Sequence, residues 1–328
     1  MEDDRKSTIT SKEAIVFNAF LFCFLICTSF FAYGRTTPCP GECGISAEWL
    51  VVLPAIEDPE FAVLHGANDT IIPNDQSWHS GYRIDLIYNF CRYPIDFLFR
   101  WTHFPSFSDS KKVSGNVTNL IIQNEGFNTG VEETFHVHYL DFLLGWRAVD
   151  CSCFLIAFQG GIQYARIRFL ETSTLISEGL GNTLFKNRSR LLWGAGPEIG
   201  ADFNFNFWKC FELTARGYGV LLVNKRIARL EVENPGGAIA QTTSNKNYVG
   251  VVPFINTRAG ISYSRLINLC DYLTCLRPFN LDVEAGYEAS WFFNSVARIQ
   301  VNANTASEMV KWMSFALHGP YLHVGIAF

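Results

Sequence analysis

The sequence predicts an all-β fold: a transmembrane antiparallel up-and-down barrel of about ten strands, with long outer loops and short periplasmic turns. Three observations lead there. The chain is 48% apolar and 15% aromatic but only 17% charged, against roughly 25% charge in an ordinary soluble domain, and past Tyr33 it has no apolar run long enough to cross a membrane as a helix. Apolar residues instead recur at every second position, the period of a strand with one greasy face. The connections between these stretches alternate short and long, as they do in closed barrels that cross an outer membrane.

The amino-terminal region differs from the rest. Ala14 to Tyr33 is a continuous apolar run preceded by Arg5, Lys6 and Lys12 and followed by Ala32-Tyr33-Gly34, a small-x-small site. Residues 1–34 therefore read as a secretory signal peptide cut after Gly34. Glu2, Asp3, Asp4 and Glu13, together with the length of the run, keep an uncleaved anchor as the alternative. Removing 1–34 changes the formal net charge from −5 to about −4, which excludes a nucleic-acid binder. Residues 35–44 form a periplasmic Cys/Pro segment, Pro38-Cys39-Pro40-Gly41-Glu42-Cys43-Gly44, and the barrel is expected over 45–328.

The strands follow in order. The first fits Ile45 to Leu53, and Pro54 to Gln76 carries loop residues. Tyr82, Ile84, Leu86, Tyr88 and Phe90 alternate with Arg83, Asp85 and Asn89. After a tight connection at Cys91 to Pro94, Ile95, Phe97, Phe99 and Trp101 alternate with Asp96, Arg100 and Thr102. The fourth strand shows Leu140, Phe142, Leu144 and Trp146, and the fifth Phe154, Ile156, Phe158, Ile162 and Tyr164. Trp193, Ala195, Ile199, Ala201, Phe203 and Phe205 face away from Glu198, Asp202 and Asn204 in the sixth. The seventh runs from Phe211 to Val223, and the eighth passes through Ile255, Ala259, Ile261 and Tyr263. The ninth sets Phe279, Leu281, Val283, Ala285, Tyr287, Ala289 and Trp291 against Asp282, Glu284 and Glu288. The last strand ends on Leu322, Val324, Ile326 and Phe328, and its terminal aromatic resembles the insertion signal of bacterial outer-membrane barrels.

This pattern places both termini in the periplasm and turns the segments at 54–79, 105–132, 169–188, 224–247 and 294–316 outward as loops. Every tryptophan except Trp49 then falls at a strand end or in a connection, where interfacial girdles form. Cys39, Cys43, Cys91, Cys151, Cys153, Cys210, Cys270 and Cys275 all fall on the periplasmic side as disulfide candidates, within the barrel or to cysteine-containing envelope partners. Zinc fits their Cys-x-Cys and Cys-x3-Cys spacings poorly.

The polar faces converge on a lumen lined by Arg83, Asp85, Asp96, Arg100, Asp141, Glu198, Asp202, Glu212, Arg216, Arg258, Asp282, Glu284 and Glu288. In a water-filled channel, the acidic excess implies a weak cation preference. Across the narrow lumen of about ten strands, the same charges can instead pair and seal it. Gly194-x-Gly196-x-x-x-Gly200 has no helix to cradle a phosphate, so these glycines relieve crowding within a strand. His136-x-His138 reads as interfacial histidine rather than a metal site. No cofactor motif and no defensible catalytic set emerges, although an acid/histidine site at the outer rim stays open as a third reading.

Gly81-Tyr82-Arg83-Ile84-Asp85-Leu86-Ile87-Tyr88 with Asp96 and Trp101-Thr102, then Tyr139-Leu140-Asp141-Phe142-Leu143-Leu144-Gly145, then Trp193-Gly194-Ala195-Gly196-Pro197-Glu198-Ile199-Gly200-Ala201-Asp202, together resemble the pore-forming outer-membrane proteins of the Legionella type, relatives of the chlamydial major outer membrane protein. The resemblance runs in patches from about Trp49 to Phe328. It implies a porin-like barrel in the bacterial outer membrane, passing small solutes and ions by passive diffusion, with structural envelope disulfides and no catalytic residues. The expected partners are outer-membrane lipid, small solutes and, through cysteine, other envelope proteins, with a homo-oligomer possible. The alternative is a closed structural or adhesive barrel acting through its outer loops.

Overall fold

The computed structural model describes residues 43–57, 59–66, 68–90, 94–120, 124–151, 153–177, 181–208, 210–233, 242–267, 279–302 and 307–327. The expected signal peptide, nearly all of segment 35–44, Cys91, Cys270, Cys275 and Phe328 lie outside these residues. The strands are β1 (Cys43–Ile56), β2 (Glu60–Leu64), β3 (Thr70–Pro73), β4 (His79–Asn89), β5 (Ile95–Asn119), β6 (Asn124–Asp150), β7 (Phe154–Ser177), β8 (Gly181–Trp208), β9 (Phe211–Glu233), β10 (Thr242–Ile267), β11 (Phe279–Asn302) and β12 (Ser307–Ala327). Every pairing is antiparallel. β1 pairs with both β12 and β4, and the run β4 to β12 closes through β5–β6. The closed wall thus has the ten strands expected, and β2–β3 is a hairpin added at the edge of β5.

The clearest departure from expectation is in the connections. The segments expected as long loops at 105–132, 169–188, 224–247 and 294–316 are mostly strand, and 54–79 holds the β2–β3 hairpin. β6 alone has 27 residues. At about 3.4 Å per residue and a tilt near 40°, such strands rise roughly 65–70 Å, twice the ~30 Å hydrocarbon core. The polar residues that read as loop chemistry are strand residues whose two faces both lie outside the apolar layer, where alternation of greasy and polar faces is no longer required.

Strand alternation sorts the side chains. Trp49, Phe142, Leu144, Phe158, Ile162, Ile199, Phe203, Leu221, Val251, Ile261, Leu322 and Val324 point out and are exposed, Ile199 to 72%. They form the apolar band a lipid-facing wall needs. Tyr88, Phe90, Trp146, Phe207 and Trp208 border it near the terminal rim, where β1 begins and β12 ends, and Tyr82, Trp101 and Trp291 lie toward its other border. Trp312 departs from the girdle expectation. It sits under the Arg226 guanidinium, 4.0 Å from the ring centroid, and edge-on to Tyr248.

Trp312 belongs to a hairpin that leaves the wall. β10 pairs with β11 only as far as Phe254–Phe292, while β10 goes on pairing with β9 to Thr242. β1 follows β12 only to Ile56–Phe315. Between Phe292 and Val296 the β11–β12 register shifts, and Asn294 takes a left-handed φ of 49°, a conformation asparagine tolerates better than most residues. Beyond this bulge, Ser295, Val296, Ala297, Arg298 and Ile299 are all buried. Ala297 and Ile299 pack on Leu175 of β7 and on Ala228 and Leu230 of β9. The far end of the β11–β12 hairpin is therefore folded into the barrel mouth.

Candidate functional site: the closed lumen

Going inward from the terminal rim, the lumen is filled in three layers. The first is ionic. Arg83 on β4 donates from Nη1 to Glu48 Oε1 at 2.6 Å, from Nη1 and Nη2 to the Glu288 carboxylate at 2.7 Å each, from Nε to Thr102 at 2.9 Å and from Nη2 to Tyr139 at 3.2 Å. All five N–H groups of the guanidinium are engaged, and the fork on Glu288 is bidentate. Glu48 on β1 is the register partner of Arg83 on the adjacent strand, whereas Glu288 on β11 lies three strands away in the wall, so that bond reaches between strands that are not neighbours. Arg258 on β10 extends the network to Glu48 at 2.8 Å and Glu284 at 2.9 Å, with its guanidinium 4.1 Å from the Tyr321 ring centroid. The Tyr321 hydroxyl donates to Glu284.

A second group faces it. Arg100 donates to Asp85 at 3.2 Å and lies 4.0 Å from Asp141, which accepts from Gln163 at 2.8 Å. Arg216 binds Asp202 at 2.6 Å. Asp282 accepts from Ser262 at 2.6 Å, and Thr214 donates to Glu284 at 2.9 Å. Asp96 lies apart from these and pairs with Arg147 at 3.3 Å. Both carboxylate oxygens of Glu198, Asp141 Oδ2, Gln163 Oε1, Arg100 Nη1 and the Tyr218 hydroxyl are buried with no hydrogen-bond partner in the protein. Buried polar groups of this kind are normally satisfied by ordered water.

The second layer is apolar. Phe254 stacks on Phe292 at 4.2 Å between centroids, Phe292 on Phe315 at 4.7 Å, and Phe315 meets Phe135 at 5.7 Å, which meets Phe169 at 4.9 Å. Leu50, Val52, Val137, Ile167, Val220, Leu222 and Val252 fill the remainder. The third layer is the infolded hairpin. Arg298 sits between Glu133 on β6, at 3.2 Å, and Glu171 on β7. Glu133 also accepts from Asn74 at 2.9 Å and Gln76 at 2.8 Å. Burial and the neighbouring Glu171 carboxylate push the Glu133 carboxyl above its ordinary value.

The sequence placed Arg83, Asp85, Arg100, Asp141, Glu198, Asp202, Arg216, Arg258, Asp282, Glu284 and Glu288 on the inner face, and the structure brings all of them into the lumen. It missed Glu48, which lies opposite Trp49 in a strand that was legible. It also missed Glu133, one residue past the segment read as loop, and Glu171 and Arg298, which fall in segments read as loop; none carries a local signal of a shared position. The expected crowding at the glycines is present, since a Cβ on Gly200 would stand 2.7 Å from Tyr218 Cβ.

Of the cysteine candidates, Cys151 and Cys210 are free thiols in turns at the terminal rim. Cys43 opens β1, and Cys153 lies in the β6–β7 connection at the same rim. Leu322, Val324 and Ile326 keep the outward register expected of them. At the far end, His79 Nε2 lies 3.0 Å from Asp109 and 3.1 Å from Ser77, and Ser77 donates directly to Asp109. One ring nitrogen faces both groups, so the imidazole does not bridge acid and hydroxyl as a nucleophile relay requires.

Among solved structures, the chain is similar to the outer membrane protease OmpT from Escherichia coli, at 10% identity and a TM-score of 0.48 over 90% of this chain and 99% of that one. It is also similar to a FadL homologue of Pseudomonas aeruginosa, at 8% identity and a TM-score of 0.30 over 87% and 89% of the two chains. The toluene transporter TbuX of Ralstonia pickettii matches at 8% identity and a TM-score of 0.33 over 88% and 90%. No curated protein sequence matches. Residues 45–328 match the family described as the Legionella pneumophila major outer membrane protein precursor, and with a closed ten-stranded wall girdled by apolar side chains the chain belongs to that family of bacterial outer-membrane β-barrels.

Proposed function

We propose that the protein works as a closed outer-membrane barrel, a structural and surface-exposing element of the envelope with no standing pore. The observation that carries this reading is Arg83, 2% exposed, joined at once to Glu48 on the adjacent β1 and to Glu288 on the non-adjacent β11 with all of its N–H groups bonded. An ion moving along the axis would have to break these bonds, part the Phe254–Phe292–Phe315 stack and displace the Arg298 hairpin. The tall far end, with β2–β3 and the infolded hairpin, is the part offered to the outside. In this reading Cys151 and Cys210, free thiols at the terminal rim, form disulfides with cysteine-containing periplasmic partners. No catalytic residue is assigned.

A porin-like reading remains as a second proposal, favoured by the unpartnered buried polar atoms of Glu198, Asp141, Gln163, Arg100 and Tyr218, which water entering the wall would satisfy. In that reading the ionic layer is a gate, since ion pairs can exchange partners where an apolar core cannot. Planar-bilayer recording separates the two. The closed reading expects a flat baseline from the native chain and from Arg83→Ala with Glu288→Ala. Stepwise conductance appearing in that double variant would favour the gate, and frequent long-lived steps in the native chain would defeat the closed reading.

A further inference from the structure

We propose that His103, His136 and His138 form a binding site for a transition-metal dication of the zinc, copper, nickel or cobalt class on the outward wall of the barrel. Strand geometry assembles it. His136 and His138 are two apart on β6 and share its outer face, and His103 on β5 is directly opposite His138 in the register. The ligating nitrogens of all three lie within 4.8 Å of one another, with ring centroids 5.2, 5.5 and 6.1 Å apart. Tetrahedral coordination at a metal–nitrogen distance of about 2.0–2.1 Å needs nitrogens roughly 3.3 Å apart. The nitrogens must therefore approach one another by at most about 1.5 Å.

Two further features point to a ligand. His103 Nδ1 is shielded from solvent and has no hydrogen-bond partner, an arrangement a metal bond would satisfy. Tyr82 and Trp101 flank the His103 ring at 5.1 and 5.9 Å between centroids, fixing its orientation as supporting groups fix metal-binding histidines. The Ser106 hydroxyl lies 3.4 Å from His136 Nδ1 on the exposed side; a solvent or lipid oxygen would complete the coordination. No carboxylate belongs to the cluster, which disfavours calcium and magnesium. Arg166 is paired in register with His138, and Arg168 with His136. Their positive charge opposes any dication equally, so binding there requires a metal that gains strongly from imidazole nitrogen. The site stands just past Trp101 and Leu140, at the border of the apolar band, so its open side meets the headgroup layer.

The test is cobalt titration of the chain refolded in detergent micelles, without a polyhistidine tag, followed by the visible absorption that tetrahedral cobalt shows. The expected result is one cobalt per chain, displaced by zinc. His103→Gln, His136→Gln and His138→Gln should each weaken binding by at least about tenfold, and His136→Gln with His138→Gln should abolish it. His65→Gln and His318→Gln should leave it unchanged. Absence of saturable binding, or binding that survives the double variant, overturns the proposal. Should a variant fail to fold, the native chain decides through chemical modification of histidine. Zinc protection of His103, His136 and His138 but not of His318 supports the site, and equal modification with and without zinc refutes it.

Discussion

Replacing Arg83 by alanine tests the ionic layer most sharply. The substitution removes five hydrogen bonds and one member of two ion pairs. The two carboxylates are not stranded equally. Glu48 keeps Arg258 at 2.8 Å, whereas Glu288 keeps the neutral donor Asn256 at 2.7 Å. Leaving one buried charge without its counter-ion costs about 3–5 kcal/mol. Removing both members of a buried pair is far less harmful, because the desolvation penalty goes with them. Arg83→Met with Glu288→Met should therefore recover most of the loss, ending within about 1–2 kcal/mol of the native chain. The assay is reversible urea unfolding from micelles followed by tryptophan fluorescence, as a double-mutant cycle. A single-variant cost below about 1 kcal/mol, or a double variant worse than either single one, would show that Arg83 does not bridge the lumen.

Three other outcomes are expected. Glu133 lies beyond the apolar band, and its folded-state carboxyl titrates above the ordinary value of 4.5. The folded state then holds a proton the unfolded chain has released, so the stability Glu133 contributes is full below pH 4.5 and falls as pH rises from there through the folded value. Fluorescence-monitored unfolding across that interval should show this slope, and Glu133→Gln should remove it; a slope unchanged in the variant contradicts the assignment. Asn294→Val should cost about 1–2 kcal/mol, because a β-branched residue resists the left-handed turn that sends β11 inward, and Asn294→Gly should be nearly neutral; hydrogen exchange at Arg298 and Ile299 gives the local reading. An impermeant maleimide on intact, reduced cells should leave Cys151 and Cys210 unlabelled while labelling Asn68→Cys at the far end; the reverse pattern would invert the topology.

The wall was legible because lipid imposes a rule on sequence. Every second residue between Tyr82 and Phe90, or between Phe279 and Trp291, must be apolar if one face meets hydrocarbon, and the structure keeps the expected register there. The same rule explains where legibility stops. Above the band, both faces of Glu125 to Glu132 meet water or protein, alternation is no longer enforced, and strand reads as loop. The lumen list was legible as a list, since inward positions follow from outward ones. Its pairing was not, because Arg83 and Glu288 stand 205 residues apart and nothing local shows that they meet. The infolding of the β11–β12 hairpin depends on a register shift at Phe292–Val296 and one left-handed residue, a backbone event that leaves little trace in side-chain pattern.

The central claim is that the lumen is shut from the ionic layer to the hairpin, and single-channel recording of the refolded chain in a planar bilayer tests it most directly. The account predicts a silent baseline at moderate voltage from protein that is folded and heat-modifiable. Discrete, reproducible conductance steps from that same folded protein would contradict it.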